Sequence, residues 1–520
     1  MVRRTLLTIF WTIVAFGAGA YAESTYRIQY YRLKLTPDFK AHRVTIKTQI
    51  EIDNPALDRE FEFTIRAPFH VLMVKAPKHI HHFSDEQLTL TLAKPQRHFS
   101  LEITTVTENG ATSASEKRPV IDDDSLFLIW SDAFYPVDWE RWAPVETVIE
   151  MPVGYEAVAP GRLLHRASHS GTTRFVFSST LPQMAFSVFA DRRWTRTERD
   201  VDGFRIVTLL HPESQQFSDK IFKTSPDVLR FFSDLHGVNP TETFSFVTIP
   251  GMYGRRAFSG FVGYPPAALE KEMNSTGFDA HETSLLWWGY TTRANGPGAW
   301  QWSEGLGDYV EFMYDEARNF PRPPIFNRFR EQYLSSDPSQ EPLYTQLRGN
   351  TPQKYVHGKY PWIMAALRYS IGDDAFRRGL QDLFTTYRYR TFSIDEFVTV
   401  FEKASSHSLD SWRKNWLERK GVPSLKISVT QSPDTAHDSS LWNLKGTVEH
   451  DGSFTGMPLD VAFQGSQGSN TQAIQLKNPA IDFTHTGPGP VEVILDPGMK
   501  LLFRVTNSST SSPQPFDNPK

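Results

Sequence analysis

Few residues of this 520-residue chain combine side-chain type and spacing in a way that could do chemistry. His281 and Glu282 are adjacent, and Glu304 follows after a largely apolar, tryptophan-containing stretch. An imidazole and a carboxylate are good ligands for a divalent cation, and a second carboxylate beside them could polarise a metal-bound water. Taken alone, the pair His281-Glu282 carries no weight, because a single helix histidine is ordinarily a packed, hydrogen-bonded side chain. Arg255-Arg256 could bind an anion or could be a solvated loop. His79, His81 and His82 are spaced for metal contact in a strand or loop, where a metal role is the less expected reading. Asp122-Asp123-Asp124 lacks the ligand spacing of a calcium loop and reads as a turn. There is no cysteine, hence no thiol nucleophile, disulfide or lipid-anchored cysteine.

The elements that must position these groups are of two kinds. Between Tyr26 and Trp194 apolar residues alternate with polar ones, as in Val44, Ile46, Ile50 and Ile52, then Phe61, Phe63 and Ile65, then Leu88, Leu90 and Leu92. A period of two is the mark of strands with one buried face. From about Gln216 the pattern turns helical. Ser225-Pro226 reads as a helix start before Val228, Leu229, Phe232 and Leu235, with Gly237 as its stop. Ser393 and Glu396 form a capping-box signature, and a last helix is expected from about Leu409 to Lys420. Alternation returns from Leu425 to Val505. The chain is 39% hydrophobic with a formal net charge of -4, ordinary for a globular protein and without the basic surplus of a nucleic-acid binder. Arg3, Arg4, the apolar run to Ala18 and Ala20-Tyr21-Ala22 read as a signal peptide cleaved before Glu23. No later run is long enough to span a membrane, so the expectation is an exported protein, periplasmic or secreted.

The segment His281-Glu282-Thr283-Ser284-Leu285-Leu286-Trp287-Trp288-Gly289, followed by Trp302-Ser303-Glu304-Gly305, resembles the zinc-site signature of the membrane alanine aminopeptidase (gluzincin) family. In such peptidases the signature is His-Glu-x-x-His on a helix, two histidines binding zinc and the Glu polarising water. A further Glu completes the ligand set, and Glu304 stands at its spacing. Gly372 to Leu380 and Trp412 to Pro423 also look like family segments, so the resemblance covers nearly all of the mature chain. It implies an α+β multidomain fold: signal peptide 1–22, N-terminal β-sandwich 23–200, thermolysin-like, mainly helical domain 201–423, small C-terminal β-sandwich 424–505 and a disordered tail 506–520.

Three positions depart from the family. The second zinc histidine is Leu285, leaving His281 and Glu304 as metal ligands. The Glu that grips a substrate's amino terminus becomes Ala257, within Gly254-Arg255-Arg256-Ala257-Phe258. The oxyanion-stabilising tyrosine falls at His357, with Tyr355 and Tyr360 nearby. The resemblance therefore implies zinc held weakly or not at all, and a pseudopeptidase that binds a peptide or protein in its cleft, with Arg255 and Arg256 favouring an acidic group. One alternative is a divergent zinc peptidase in which His357 replaces the lost ligand and Glu282 remains the base. The other is an envelope scaffold with a vestigial cleft.

Overall fold

The structure, a computed structural model, describes residues 26–274, 279–296, 299–320, 324–335, 356–434 and 438–507. The expected signal peptide and Tyr355 lie outside them. The alternating N-terminal residues form strands as their period demands. Arg27–Asp38 pairs antiparallel with Arg43–Asp53 and parallel with Ala143–Pro152, at the centre of a seven-stranded sheet. Leu33, Leu35, Ile46 and Ile50 from this sheet share one core with Phe61, Phe63, Leu88 and Leu90 from the three-stranded sheet Glu60–Thr64, Gln87–Leu92, His79–Ser84. His79 and His81 sit on the edge strand of that sheet, His81 Nδ1 3.3 Å from His79 Nε2. Asp122 accepts the Asp124 and Ser125 backbone N–H groups, which is the turn its sequence suggests.

A five-stranded sheet follows, ordered Thr195–Val201, Phe204–Leu210, Phe244–Thr248, Phe261–Tyr264, Arg256–Phe258, the last strand antiparallel to its neighbour. The helices of this region are α1 (Ser218–His236), α2 (Pro266–Met273), α3 (Ala280–Leu285), α4 (Ala299–Arg318), α5 (Pro324–Ser335), α6 (Tyr360–Ile371), α7 (Asp373–Thr386), α8 (Ile394–Ser405) and α9 (Asp410–Arg413), of which α1, α2 and α3 pack against the sheet. α1 begins seven residues before Ser225 and runs through Pro226. Proline favours the first turn of a helix, so Pro226 reads as a start, yet Ile221 and Phe222 continue the same buried face upstream. The capping box at α8 is present, with Glu396 N donating to Ser393 Oγ and Ser393 N to Glu396 Oε2. The last expected helix is only α9 plus one wider turn, Lys414–Glu418.

Residues beyond Ser424 form a four-stranded and a three-stranded sheet whose inner residues, among them Leu425, Val448, Val461 and Phe463, join the core of the helical region. Thr506 and Asn507, expected in a disordered tail, instead pair with Lys426 and Ile427 as part of a strand. This last module grips α5 and α6. Arg330 donates from Nε and Nη2 to the Leu501 carbonyl, Arg504 Nη2 to Leu334 O, and Trp362 Nε1 to Met499 O. Among the described residues no helix is long and apolar enough to cross a membrane.

At the C-terminal end of α1, His236 is fully buried among Trp287, Trp288 and Phe384, and its Nδ1–H donates to the Phe232 carbonyl at 2.7 Å. Burial lowers its pKa to about 3, against a small upward pull from that carbonyl. The folded state then binds fewer protons than the unfolded one between about pH 3 and 6.5, so stability is fully present above that window and is lost as pH falls through it. His236 should account for about 2 kcal/mol of the stability lost between pH 7 and pH 5. Urea unfolding at the two pH values should show this loss, and His236→Leu should remove that share of it.

Candidate functional site

Two helices carry the candidate residues. α3 starts at Asp279, whose side chain accepts the Glu282 backbone N–H at 3.0 Å. This cap fixes the first turn and presents His281 and Glu282 together. α4 carries Glu304, Asp308 and Glu311 at i, i+4 and i+7, which places all three on one face. Gly305 is needed between them, because a Cβ there would lie 2.2 Å from Tyr360 Cβ. The missing side chain lets the start of α6 rest against α4. The cavity they line measures about 730 Å³ and has walls from both domains: Ser115, Glu116, Trp130 and Ser131 on one side, α3, α4, α5 and His357 on the other.

His281 sits between carboxylates. Its Nε2 lies 3.1 Å from Glu304 Oε2, and its Nδ1 lies 2.8 Å from Asp308 Oδ1. The second contact is an ion pair between two atoms buried from solvent. The other oxygen of Asp308 accepts from His357 Nδ1 at 2.8 Å. Burial works against charge on His281, but Asp308 and Glu304 outweigh it and hold its pKa well above the usual imidazole value. His357 is raised in the same way, burial being outweighed chiefly by Asp308. Burial alone would raise Asp308, yet the two imidazoles bring it to about 2. Glu282 accepts the Ala257 backbone N–H at 2.6 Å. Burial raises it, His281 opposes, Asp279 and Glu304 add, and its pKa is pushed up to about 7. Glu311 is pushed well above the carboxylate range by burial, against the pull of His281 and Arg255.

The six site residues expected from the family resemblance line this one cavity: Glu282, His357, Arg255, Arg256, His281 and Glu304. Their pairings differ from a bare peptidase site. His357 meets Asp308, and its ring centroid is 5.8 Å from that of His281. Arg255 is neutralised by Glu272 at 2.7 Å and Asp279 at 3.4 Å, and Arg256 is paired with Glu116. Neither arginine is a free cation awaiting an acidic ligand. Leu285 is 2% exposed and faces Gly307, where a Cβ would come within 3.0 Å of its Cδ2. The zinc implied by the family resemblance therefore finds two donors at its expected position, His281 Nε2 and Glu304, and a hydrocarbon where the third should be. The residues present do not fit that site. Asp308 and Glu311 were missed in the sequence, although the ladder 304, 308, 311 on one helix face is a legible signal.

No protein-family model matches the chain. It is 23% identical over 245 residues to a puromycin-sensitive aminopeptidase of Caenorhabditis elegans, a match covering 44% of this chain and 26% of that protein. It is 30% identical over 76 residues to probable aminopeptidase 2 of Sulfurisphaera tokodaii, covering 15% of this chain and 10% of that one. The chain thus spans about a quarter and a tenth of these curated relatives. Its fold is similar to that of Legionella pneumophila aminopeptidase A, solved in complex with aspartic acid, with a TM-score of 0.67 at 12% identity over 95% of this chain and 61% of that one. It is also similar to an M1 zinc metallopeptidase from Deinococcus radiodurans, with a TM-score of 0.64 at 16% identity over 77% of this chain and 95% of that one.

Restoring the missing donor should restore the ligand row. Leu285→His should gain one zinc equivalent relative to the unmutated chain, lost again on adding Glu304→Ala, as read by elemental analysis. Without metal the variant should be less stable by about 1–3 kcal/mol, because a polar ring replaces packed hydrocarbon.

Proposed function

We propose, from the relationship of this chain to the M1 aminopeptidases, that it is an exported pseudopeptidase that binds a peptide or protein segment in its cleft without cutting it. The observation that carries this reading is Leu285, buried in the wall of the cleft at the place of a metal donor. Aminopeptidase chemistry needs a metal-bound water beside a base, and here the base itself is engaged. Glu282 is held by the Ala257 N–H and is pushed up to about 7, so much of it is protonated at neutral pH. The position that would grip a free amine is the apolar side chain of Ala257.

The same cleft keeps features suited to binding. Trp130, Trp300, Tyr253 and Phe329 line it, and rings of this kind give apolar contact to peptide side chains with little loss of freedom. The segment 1–22 supports export, since its charge, apolar run and small-residue site are those of a signal peptide. A divergent peptidase using His357 as replacement ligand has in its favour only the presence of that imidazole in the cavity. Its ring already donates to Asp308.

Purified protein should release no product from aminoacyl reporter substrates above the blank, with zinc supplied, and should bind peptides from a random library. Tyr253 is 85% exposed at the mouth of the cleft. Tyr253→Ala should therefore weaken peptide binding several-fold without changing the unfolding midpoint, as measured by titration and thermal melt. Reporter hydrolysis abolished by Glu282→Gln would refute the reading, and unchanged binding would favour the scaffold alternative.

A further inference from the structure

Where the helical region meets the terminal β-module lies a second pocket, of about 230 Å³, which shares no lining residue with the cleft. Its walls are the end of α6, the chain from His407 through α9 and its wider turn, and the loop between the strands Asp438–His450 and Pro458–Gly465. In a chain with 22% charged residues, no Asp, Glu, Lys or Arg lines it. Five of the lining residues carry hydroxyls and two are tryptophans. Trp412 is 4% exposed and its Nε1–H has no acceptor, whereas the neighbouring Trp416 donates to the Ser453 carbonyl at 3.1 Å. A buried indole N–H is ordinarily paired, so this one calls for an oxygen from outside the chain.

Other groups on the wall are half-used. His407 Nδ1 lies 2.6 Å from the Ser405 carbonyl, which can only accept, so the ring proton sits on Nδ1 and Nε2 presents a lone pair. Asn415 Nδ2 donates to Ser411 Oγ at 3.3 Å, which leaves the Asn415 carbonyl oxygen to accept and the Ser411 O–H to donate. Ser408 Oγ accepts the Asp410 backbone N–H at 3.2 Å and keeps its own O–H to donate.

We propose that this pocket binds one ring of a neutral sugar. A sugar hydroxyl donates and accepts at once, which suits a wall where Ser408, Ser411 and Trp412 donate while His407 and Asn415 accept. An ionic ligand would find no counter-charge here, and a hydrocarbon would leave these polar groups unpaired. The two indoles give flat apolar surface to the C–H groups of the ring. The volume falls below the roughly 300–1,000 Å³ of a pocket for a drug-sized ligand, so it takes a single ring. None of this rests on what the cleft does, and either proposal can fail alone.

Glucose and N-acetylglucosamine, titrated into the full chain and followed by NMR, should bind with Kd on the order of millimolar, as fits a ligand of about a dozen heavy atoms. Glucuronate and glucosamine, similar in shape but charged, should bind at least about tenfold more weakly. Asn415→Leu and Ser411→Ala should each weaken binding of the neutral sugar several-fold with the thermal midpoint unchanged. Charged sugars that bind as well as neutral ones, or variants that bind as well as the unmutated chain, overturn the proposal. The position is read without any variant, from a crystal of the unmutated chain soaked in the tighter sugar. A sugar oxygen about 3 Å from Trp412 Nε1 is expected. Water alone on that nitrogen, or sugar bound only elsewhere, overturns the proposal. A linear oligomer that binds more tightly than its monosaccharide identifies the end of a glycan as the ligand, and equal binding identifies the free sugar.

Discussion

A carboxylate taken out of water costs several kcal/mol unless a cation or fixed donors replace its hydration. The centre of this protein buries Asp279, Glu282, Asp308 and Glu311 together, with Glu272 and Glu304 at the margin. Each must find a partner, and these demands set where the surrounding elements can lie. Arg255 stands between Glu272 and Asp279 and reaches them only because the strand Arg256–Phe258 ends the sheet beside α3. Asp308 stands between two imidazoles, and Glu282 takes a backbone N–H from that same strand. Glu311 has no such partner for its Oε2, and burial keeps its acid form favoured.

Such a polar centre needs a rigid apolar frame. Trp287, Trp288, Trp302 and Tyr360 are fully buried around it: Trp288 and Trp302 meet Phe384 and Phe397 edge-on, Trp287 tilts against Phe232, and Tyr360 meets Trp302 edge-on. Trp142 from the N-terminal domain donates its Nε1–H to the Tyr290 carbonyl at 2.6 Å, and Tyr290 in turn donates to the Ala257 carbonyl at 2.8 Å. A chain of hydrogen bonds thus runs from the first domain to the backbone that holds Glu282. The cleft is therefore built jointly, and neither domain presents a finished site.

The parts of this architecture that follow a period were legible in the sequence. Val44 to Ile52 form a strand with the anticipated inward residues, and Ser393 with Glu396 caps a helix. Local rules govern these features, so local sequence reveals them. The start of α1 was misread because Pro226 mimics a first-turn proline, and only the packing of Ile221 and Phe222 shows that the helix has already begun. In the site, His281, Glu282 and Glu304 were found because a motif fixes their spacing. The partners of Arg255 and Arg256 were not, because Glu116, Glu272 and Asp279 come from separate elements that only the fold brings together. The two-residue reach from His281 to Asp308 and on to His357 is likewise a product of α4 and the chain before α6 meeting in space.

The grip of the last β-module on α5 has a consequence for how the molecule breathes. Phe326, Arg328 and Phe329 of α5 line the cavity, while Arg330 and Leu334 of the same helix are bonded to Leu501 and Arg504 at the other end of the chain. Local opening of the terminal strand would release α5, and a release of α5 would widen the cleft. Occupancy and unfolding are then thermodynamically linked: whatever settles against Phe329 also slows amide exchange in Arg504–Asn507, far from any contact with the ligand.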